Sequence, residues 1–598
     1  MLPKIKSADL LPTVLALAAT VLSWTVLVEF VVPAVIGAAY ARTSLPSVNA
    51  LITGQAEHPL DYYVHKGKRI AWAMLPPAVL LMVVVARSRR RRDVLTLIVL
   101  LGVAAFARAP GILERAIWED EAVSLLETAG HSLPAWPHEP VRAGTLKVVF
   151  EGNPTLGQVA ADLRNTDVHP PLYYWILTLW RRALGFSLES ARALSLVCSI
   201  AAVFALFLLL RAAGAEYPLV GTLVYAFSSD AVLFGAVARN YAVASLCVLL
   251  SALLAWLGVE RAGANGRGAA ALLAGAGVFC GLAFQTHYLA LFPVAVILLW
   301  AALYVWPIRR SWVVIAPVAA LAVALPAVRN LVSKQMGARP AQAAGFAGVF
   351  QELVNLLKVN LTAFWQPVVT SNALHYAVAA LALVLIATGT WLAARRSGVF
   401  KAPFRPLLFG LALAPSAGVF ALDFLFDKRL TDPQYLTFAT PMLAVLISLP
   451  ICRVLGPSFR GLGAALLAVV FGIQMVAINW GFEEGPLLTG RMRSAARAVA
   501  ASRPESRIVV IDEGYGRGNP ASAVYELEPD VNMVFFGSGS NLDAVWSQIE
   551  RYRSLWFLMS PDEPTESQRR DLLERVEQAG SYVEVWRDGL ARHLIRTR

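Results

Sequence analysis

The sequence predicts an all-α polytopic membrane bundle of about thirteen transmembrane helices with a C-terminal soluble α/β domain. Three observations predict it. Of 598 residues, 57% are hydrophobic and only 15% are charged, against roughly 25% charged in an average soluble protein. Mean hydropathy is +0.58, which excludes a soluble globular enzyme, a disordered tail protein and a coiled coil. Apolar runs of roughly 18 residues or more recur along most of the chain, each long enough to cross a bilayer as a helix.

The first run, 11–41, follows two lysines but is too long for a signal h-region and shows no clean cleavage site, so it reads as an uncleaved span. A second span, 70–86, ends on Arg87, Arg89, Arg90, Arg91 and Arg92, which the positive-inside rule puts in the cytoplasm. Further spans are expected near 94–109, 192–211, 217–236, 239–258, 268–284, 287–306, 313–328, 373–394, 404–422, 435–452 and 461–480. Arg211, then Arg261 and Arg267, then Arg309 and Arg310 fall in loops of one parity. Arg395, Arg396, Lys401 and Arg405 follow, then Arg453 and Arg460. The alternation puts the N-terminus inside and the C-terminus outside a cell (inner or plasma) membrane. The formal charge of +12 therefore suits topology rather than nucleic-acid binding. Segment 171–187 breaks the parity if it crosses. It reads as interfacial or partly inserted, with Trp175, Trp180, Arg181 and Arg182 at the boundary.

Every sizeable polar segment then lies on the non-cytoplasmic side: 42–68, 110–170, 329–372, 423–434 and everything after about 481. The expected organisation is an extra N-terminal hairpin over 1–93, a main bundle over 94–480 with outer loop 110–170, and an extracytoplasmic α/β domain over 481–598. In that tail, extended runs (Arg507–Asp512, Val531–Gly537, Leu555–Ser560, Tyr582–Trp586) alternate with helical patterns (Arg491–Ala501, Leu542–Arg553, Glu566–Gln578). IDEGYGRGNP is neither GxGxxG nor a Walker loop and reads as a turn. Cys198, Cys247, Cys280 and Cys452 all lie in apolar runs, with neither disulfide nor metal-ligand spacing, and read as small core residues.

Two segments can carry chemistry. AIWEDEAVSLLETA holds Trp118, Glu119, Asp120 and Glu121 in the outer loop. It reads either as a solvated acidic loop or as a general base or metal ligand near the lipid surface. NTDVHPPLYYWILTLW holds Asp167 and His169 before a proline pair that fixes the entry to a helix. It is either a rigid helix start or a device that fixes those two side chains. Tyr173 and Tyr174 read as interfacial anchors rather than sugar-stacking platforms.

Together these two segments resemble the membrane glycosyltransferases of the GT-C class. More closely, they resemble the family of protein O-mannosyltransferases, lipid A aminoarabinose transferases and rhizobial lipopolysaccharide glycosyltransferases. SSDAVLFGAVARNYAVASL (Ser229, Arg239, Tyr241) is similar to a further segment of that family, as are QTHYLALF (His287, Tyr288) and DKRLTDPQYLTFATP (Arg429, Tyr435, Pro441). The likeness runs over about 94–480, in order and on one expected membrane face. Two departures stand out: the extra spans before residue 94, and Gln434 where an arginine commonly precedes the tyrosine.

The resemblance implies that 94–480 is the catalytic domain of an inverting transferase. It would move a sugar from a polyprenyl-phosphate donor to an acceptor lipid, glycan or protein on the outer face. It implies Asp120 as the base, with Glu121 as neighbour or supporting partner. Asp167, His169, Arg239, Tyr241, His287, Tyr288, Lys428, Arg429 and Tyr435 would bind substrate, the cations meeting the lipid phosphate. A divalent metal ion is left open, since some relatives hold one and others need none. Arg329, Lys334 and Arg339 could meet an anionic donor or stay solvated. Two other readings compete: a flippase or transporter of lipid-linked sugars, which would predict mid-span charges and repeated halves, and an O-antigen ligase or polymerase, whose large outer loop lies late in the chain.

Overall fold

The computed structural model describes almost all of residues 93–330, part of 353–364, then 372–395, 399–426, 433–454, 507–512, 518–536, 540–558, 582–588 and 591–596, with isolated residues elsewhere. The expected spans 11–41 and 70–86, and most of 461–480, lie outside the described residues. So do Lys428, Arg429, Lys334, Arg339 and the side chain of Arg329.

The bundle runs α1 (Asp93–Leu113), α2 (Glu119–Ala129), α3 (Leu156–Thr166), α4 (Leu172–Leu184), α5 (Leu188–Ala212), α6 (Pro218–Ala226), α7 (Ser229–Leu233), α8 (Tyr241–Gly263), α9 (Ala269–Thr286), α10 (Leu291–Val305), α11 (Ile315–Asn330), α12 (Asn372–Arg395), α13 (Phe404–Phe426) and α14 (Thr440–Val454). Six described helices are long and apolar enough to cross a membrane. The stretch expected as a span at 217–236 is broken into α6 and a second piece, Ser229–Ala236, that begins with α7, the two bent by 63°. Phe227 and Ser228 form the break, and the Ser228 hydroxyl caps the second piece by accepting the Ala231 N–H. Arg108 of α1 holds the break in place, with Nε bonded to Ser199 Oγ and Nη2 to the Ala231 carbonyl. Donors of a buried guanidinium must be satisfied inside an apolar bundle.

Close helix approach follows from small residues. On α9, Gly277 and Gly281 stand four apart. A Cβ on Gly277 would lie 2.2 Å from the Ala316 carbonyl oxygen, and one on Gly281 would lie 2.6 Å from Val323 Cβ. The pair lets α9 and α11 pack backbone to backbone, the usual means of association where lipid removes the hydrophobic drive.

Segment 171–187 does not run as a membrane-length helix: its helix has 13 residues. It forms α4, whose buried face carries Tyr173, Tyr174, Leu177, Thr178 and Arg181. Arg181, expected at the boundary, is fully buried and donates to the carbonyls of Leu125 and Phe150 and to Thr128 Oγ1. It ties α4 to α2 and to the 147–150 turn.

After residue 500 the described strands are β2 (Arg507–Asp512), β3 (Asn532–Phe536), β4 (Ser554–Leu558), β5 (Tyr582–Asp588) and β6 (Ala591–Arg596), with helices α15 (Gly518–Glu526) and α16 (Leu542–Ile549). With β1 (Val141–Arg142) from the outer loop they make one sheet in the order β1-β3-β2-β4-β6-β5, parallel across β3-β2-β4 and antiparallel elsewhere. The unbroken apolar strands reflect burial on both faces. Ile508, Val510, Val534, Phe536, Leu555 and Phe557 pack with α16, whereas Val509, Ile511, Met533, Phe535, Trp556 and Leu558 join the core that continues into the helical bundle. Sequence reasoning missed β1, β6 and α15. The last begins within IDEGYGRGNP, where a turn was expected. Arg491–Ala501 and Glu566–Gln578 lie mostly outside the described residues.

The bundle has two distinct ends. At one, the Lys401 amide bonds the Ala213 carbonyl after α5, and the Lys401 ammonium pairs with Glu260 near the end of α8. The expected site residues cluster at the opposite ends of α5, α8 and α9.

Candidate active site

The turn from Arg115 to Glu121 is locked by a buried ion pair. Glu121 Oε1 accepts from Arg192 Nε (2.8 Å) and the Ala238 amide (2.8 Å); Oε2 accepts from Arg192 Nη2 (2.7 Å) and the Trp118 amide (2.9 Å). Arg192 spends its other contacts on the carbonyls of Ile112, Arg115 and Ala116. Burial pushes the Glu121 carboxyl up, but the charge and hydrogen bonds of Arg192, with Arg115 and the Ala238 amide, outweigh it and hold the carboxyl below its ordinary range. With both oxygens occupied, Glu121 fixes the turn and has no free face for a reacting atom, the supporting role allowed for it above.

Consecutive helical residues point about 100° apart, so Asp120 emerges on another side of α2. Its side chain is 29% exposed, against 10% for Asp167 and none for Glu121. Arg239 Nη2 lies 3.5 Å from Asp120 Oδ2. Arg239 Nη1 bonds the Asp120 carbonyl (3.2 Å), Ser124 Oγ (3.2 Å) and the Tyr174 hydroxyl (3.1 Å), and stands 4.0 Å from Asp167 Oδ2.

Asp167 ends α3, which starts in a capping box made by Thr155 and Gln158. The chain then meets Pro170 and Pro171, which set the start of α4. Asp167 Oδ1 bonds His169 Nδ1 (2.9 Å), and Oδ2 accepts from the Tyr174 hydroxyl (2.8 Å). Burial opposes ionisation of this carboxyl. His169, Arg239 and Tyr174 overcome that and hold it well below the usual carboxylate range.

The His169 ring meets His287 edge-on, 5.6 Å between centroids. His287 is also ringed by Tyr241 (5.8 Å), Tyr435 (5.8 Å) and Phe438 (5.5 Å). One continuous cluster thus joins Asp120, Arg239, Asp167, His169, His287, Tyr241 and Tyr435, residues separated by more than 300 positions. Tyr288 turns aside onto Phe284. Lys428 and Arg429 fall outside the described residues.

No three of His, Cys, Asp and Glu gather as ligands among the described residues. Asp167 Oδ1 holds His169 Nδ1. His287 Nδ1 accepts the Leu289 amide at 3.2 Å; this bond assigns the proton to Nε2 and leaves a neutral imidazole no lone pair for a metal.

Four residues that matter were missed or misread. Tyr174, expected as an interfacial anchor, is buried between Asp167 and Arg239; so is Tyr173, which packs on it. Arg192 sits in an apolar run, where a lone arginine is costly unless paired. That cost was the available signal. Glu526, more than 400 residues beyond Asp120, gave no local signal.

Residues 168–330 match the family described as dolichyl-phosphate-mannose-protein mannosyltransferase. The matched stretch holds His169, Arg239, Tyr241 and His287, and the match supports the glycosyltransferase resemblance carried by the motifs. Among solved structures, the chain is similar to ArnT from Cupriavidus metallidurans bound to undecaprenyl phosphate, with 13% identity, 84% of this chain and 98% of that one covered, and a TM-score of 0.47. The apo state of ArnT gives 13%, 83%, 97% and 0.46. The oligosaccharyltransferase AglB of Archaeoglobus fulgidus, in complex with an inhibitory peptide and a dolichol-phosphate, gives 13%, 78%, 70% and 0.40. No curated protein sequence matches the chain.

Proposed function

We propose that this membrane glycosyltransferase takes its sugar from a polyprenyl-phosphate donor and passes it, with inversion, to a hydroxyl acceptor at the outer face of the cytoplasmic membrane. The observation that carries the reading is Asp120, the most open of the three acidic side chains at the site, presented beside Arg239 on a turn fixed by the Glu121–Arg192 pair.

In this reading the acceptor oxygen forms a bond to the anomeric carbon from the face opposite the phosphate, and its proton passes to Asp120. The anomeric carbon–oxygen bond to phosphate breaks, and its electron pair leaves on the polyprenyl phosphate. Arg239 orients Asp120 and neutralises its charge in this reading, its Nη1 engaged by the Asp120 carbonyl, Ser124 and Tyr174 and its Nη2 facing the Asp120 carboxylate. Lys428 and Arg429 are the cations that the family resemblance assigns to the leaving group. Exposed Leu299, Leu303, Val318, Leu321 and Leu325 on α10 and α11 suit contact with a prenyl chain or with lipid. The side assignment is supported by the basic loop residue Lys401, which gathers with Glu260 at the end of the bundle away from Asp120.

The test is sugar transfer by the purified full-length protein from a panel of polyprenyl-phosphate sugars. Asp120→Asn is expected to lower turnover by on the order of 10²- to 10⁴-fold, the usual worth of a general base. Retained transfer would overturn the base assignment. Movement of lipid-linked sugar across vesicles without transfer would favour a flippase.

A further inference from the structure

The turn that bears Asp120 is held from two directions. Glu121 takes the Trp118 amide from within the turn. The preceding amide, of Ile117, donates to Glu526 Oε1 at 2.8 Å. Glu526 is the last residue of α15, in the sheet-bearing C-terminal segment. Two carboxylates thus hold consecutive amides three and two residues before Asp120, and one of them comes from the C-terminal segment.

Neighbouring contacts make this a seated joint. The Tyr525 hydroxyl accepts the Leu188 amide at the start of α5 (3.2 Å), and its carbonyl accepts Lys147 Nζ (2.9 Å). Its ring meets Phe150 edge-on at 5.3 Å. Behind it, β1 pairs with β3, the Ala143 and Gly144 amides bond the carbonyls of Val531 and Pro529, and Trp136 stacks on Phe535 at 5.0 Å. α15 packs directly on α2, the helix that opens with Glu119 and Asp120.

We infer that the C-terminal segment is a working part of the catalytic centre: Glu526 is a positioning residue that holds the Ile117 amide and thereby sets where Asp120 stands. The inference rests on the proposed role of Asp120 as base. It differs from a segment that merely selects the acceptor. A selecting segment would change which acceptor is used and leave turnover on the best one intact, whereas a positioning segment changes turnover for every acceptor. Misplacement of a reacting group by about 1 Å can cost about 100-fold in rate.

The experiment compares full-length Glu526→Leu, Glu526→Asp and Glu526→Gln. Leu removes the acceptor, Asp withdraws it by one methylene while keeping the charge, and Gln keeps an acceptor oxygen at the same reach. Turnover is expected to fall on the order of 10- to 100-fold in the Leu variant, less in Asp, and to be rescued in Gln, with the donor KM unchanged throughout. Hydrogen exchange over 115–121 is expected to quicken in Leu and Asp but not in Gln, with the Trp118 amide, held by Glu121, as internal reference. Wild-type turnover or unchanged exchange in both Leu and Asp would overturn the inference, as would a change confined to acceptor preference. If Asp120→Asn stays active while Glu526→Leu loses turnover and protection, the base assignment fails and the positioning of the turn stands.

Discussion

Arg239 Nη2 stands 3.5 Å from Asp120 Oδ2, close enough to orient that carboxylate while leaving its other side open. The same guanidinium bonds Tyr174 and reaches Asp167, so one planar fork fixes the relation between two acidic side chains drawn from different loops. Lysine would keep the charge but not the fork. Arg239→Lys is therefore expected to lower turnover by on the order of 10- to 100-fold, through loss of geometry rather than of charge. Steady-state transfer assays read this directly, and a Lys variant with wild-type turnover would refute the bridging role.

The Glu121–Arg192 pair makes a prediction about stability. Both side chains are buried, and each leaves an uncompensated charge if the other is removed. Arg192→Met should cost about 3–5 kcal/mol, the usual penalty for breaking such a pair, and appear as a marked fall in the apparent melting midpoint in detergent. Replacing both, Glu121→Leu with Arg192→Met, should recover part of the loss. A double variant no better than the single would show that the pair's bonds to the 112–118 backbone, rather than the charges, carry the stability.

The acidic residues also set the pH response of stability. Glu121 and Asp167 have folded-state pKa values depressed below their ordinary range. A depressed carboxyl contributes stability that is fully present above its unfolded pKa and is lost as pH falls through the folded value. The melting midpoint should thus be insensitive to these two groups from neutrality down to about pH 5, and fall only on further acidification, below the ordinary carboxylate range near pH 4. A large loss between pH 7 and 6, abolished in an Arg192→Met, Glu121→Leu background, would contradict this assignment.

The sequence disclosed the site's members more fully than their arrangement. Asp120, Asp167 and His169 were legible in two polar segments beside apolar runs, Arg239, Tyr241, His287 and Tyr435 through the family resemblance, and the structure brings them together. The bend at Phe227–Ser228 was not expected, although the polar triplet Ser228, Ser229 and Asp230 interrupts the apolar run at the break. Tyr174 was misread because an aromatic beside a tryptophan-rich helix matches an interfacial belt; only tertiary contact with Asp167 and Arg239 decides otherwise. β1 is two residues long, too short for any periodic pattern, and its partner β3 lies some 390 residues away. Long-range pairings such as Ile117 with Glu526 leave no local trace at all.

The last prediction concerns metal. No three of His, Cys, Asp and Glu gather as ligands among the described residues; Asp167 is engaged by His169 and Tyr174, and His287 Nδ1 by the Leu289 amide. For His287 to bind a metal through Nε2, its proton would have to move to Nδ1, where it would face the Leu289 N–H and break the turn that starts at Tyr288. Exhaustive treatment with EDTA is therefore expected to leave turnover unchanged, and readdition of zinc, magnesium or manganese to produce no gain. A chelator-induced loss restored by one of these ions, and absent in His287→Gln, would show that the imidazole does exchange its tautomer to hold a metal.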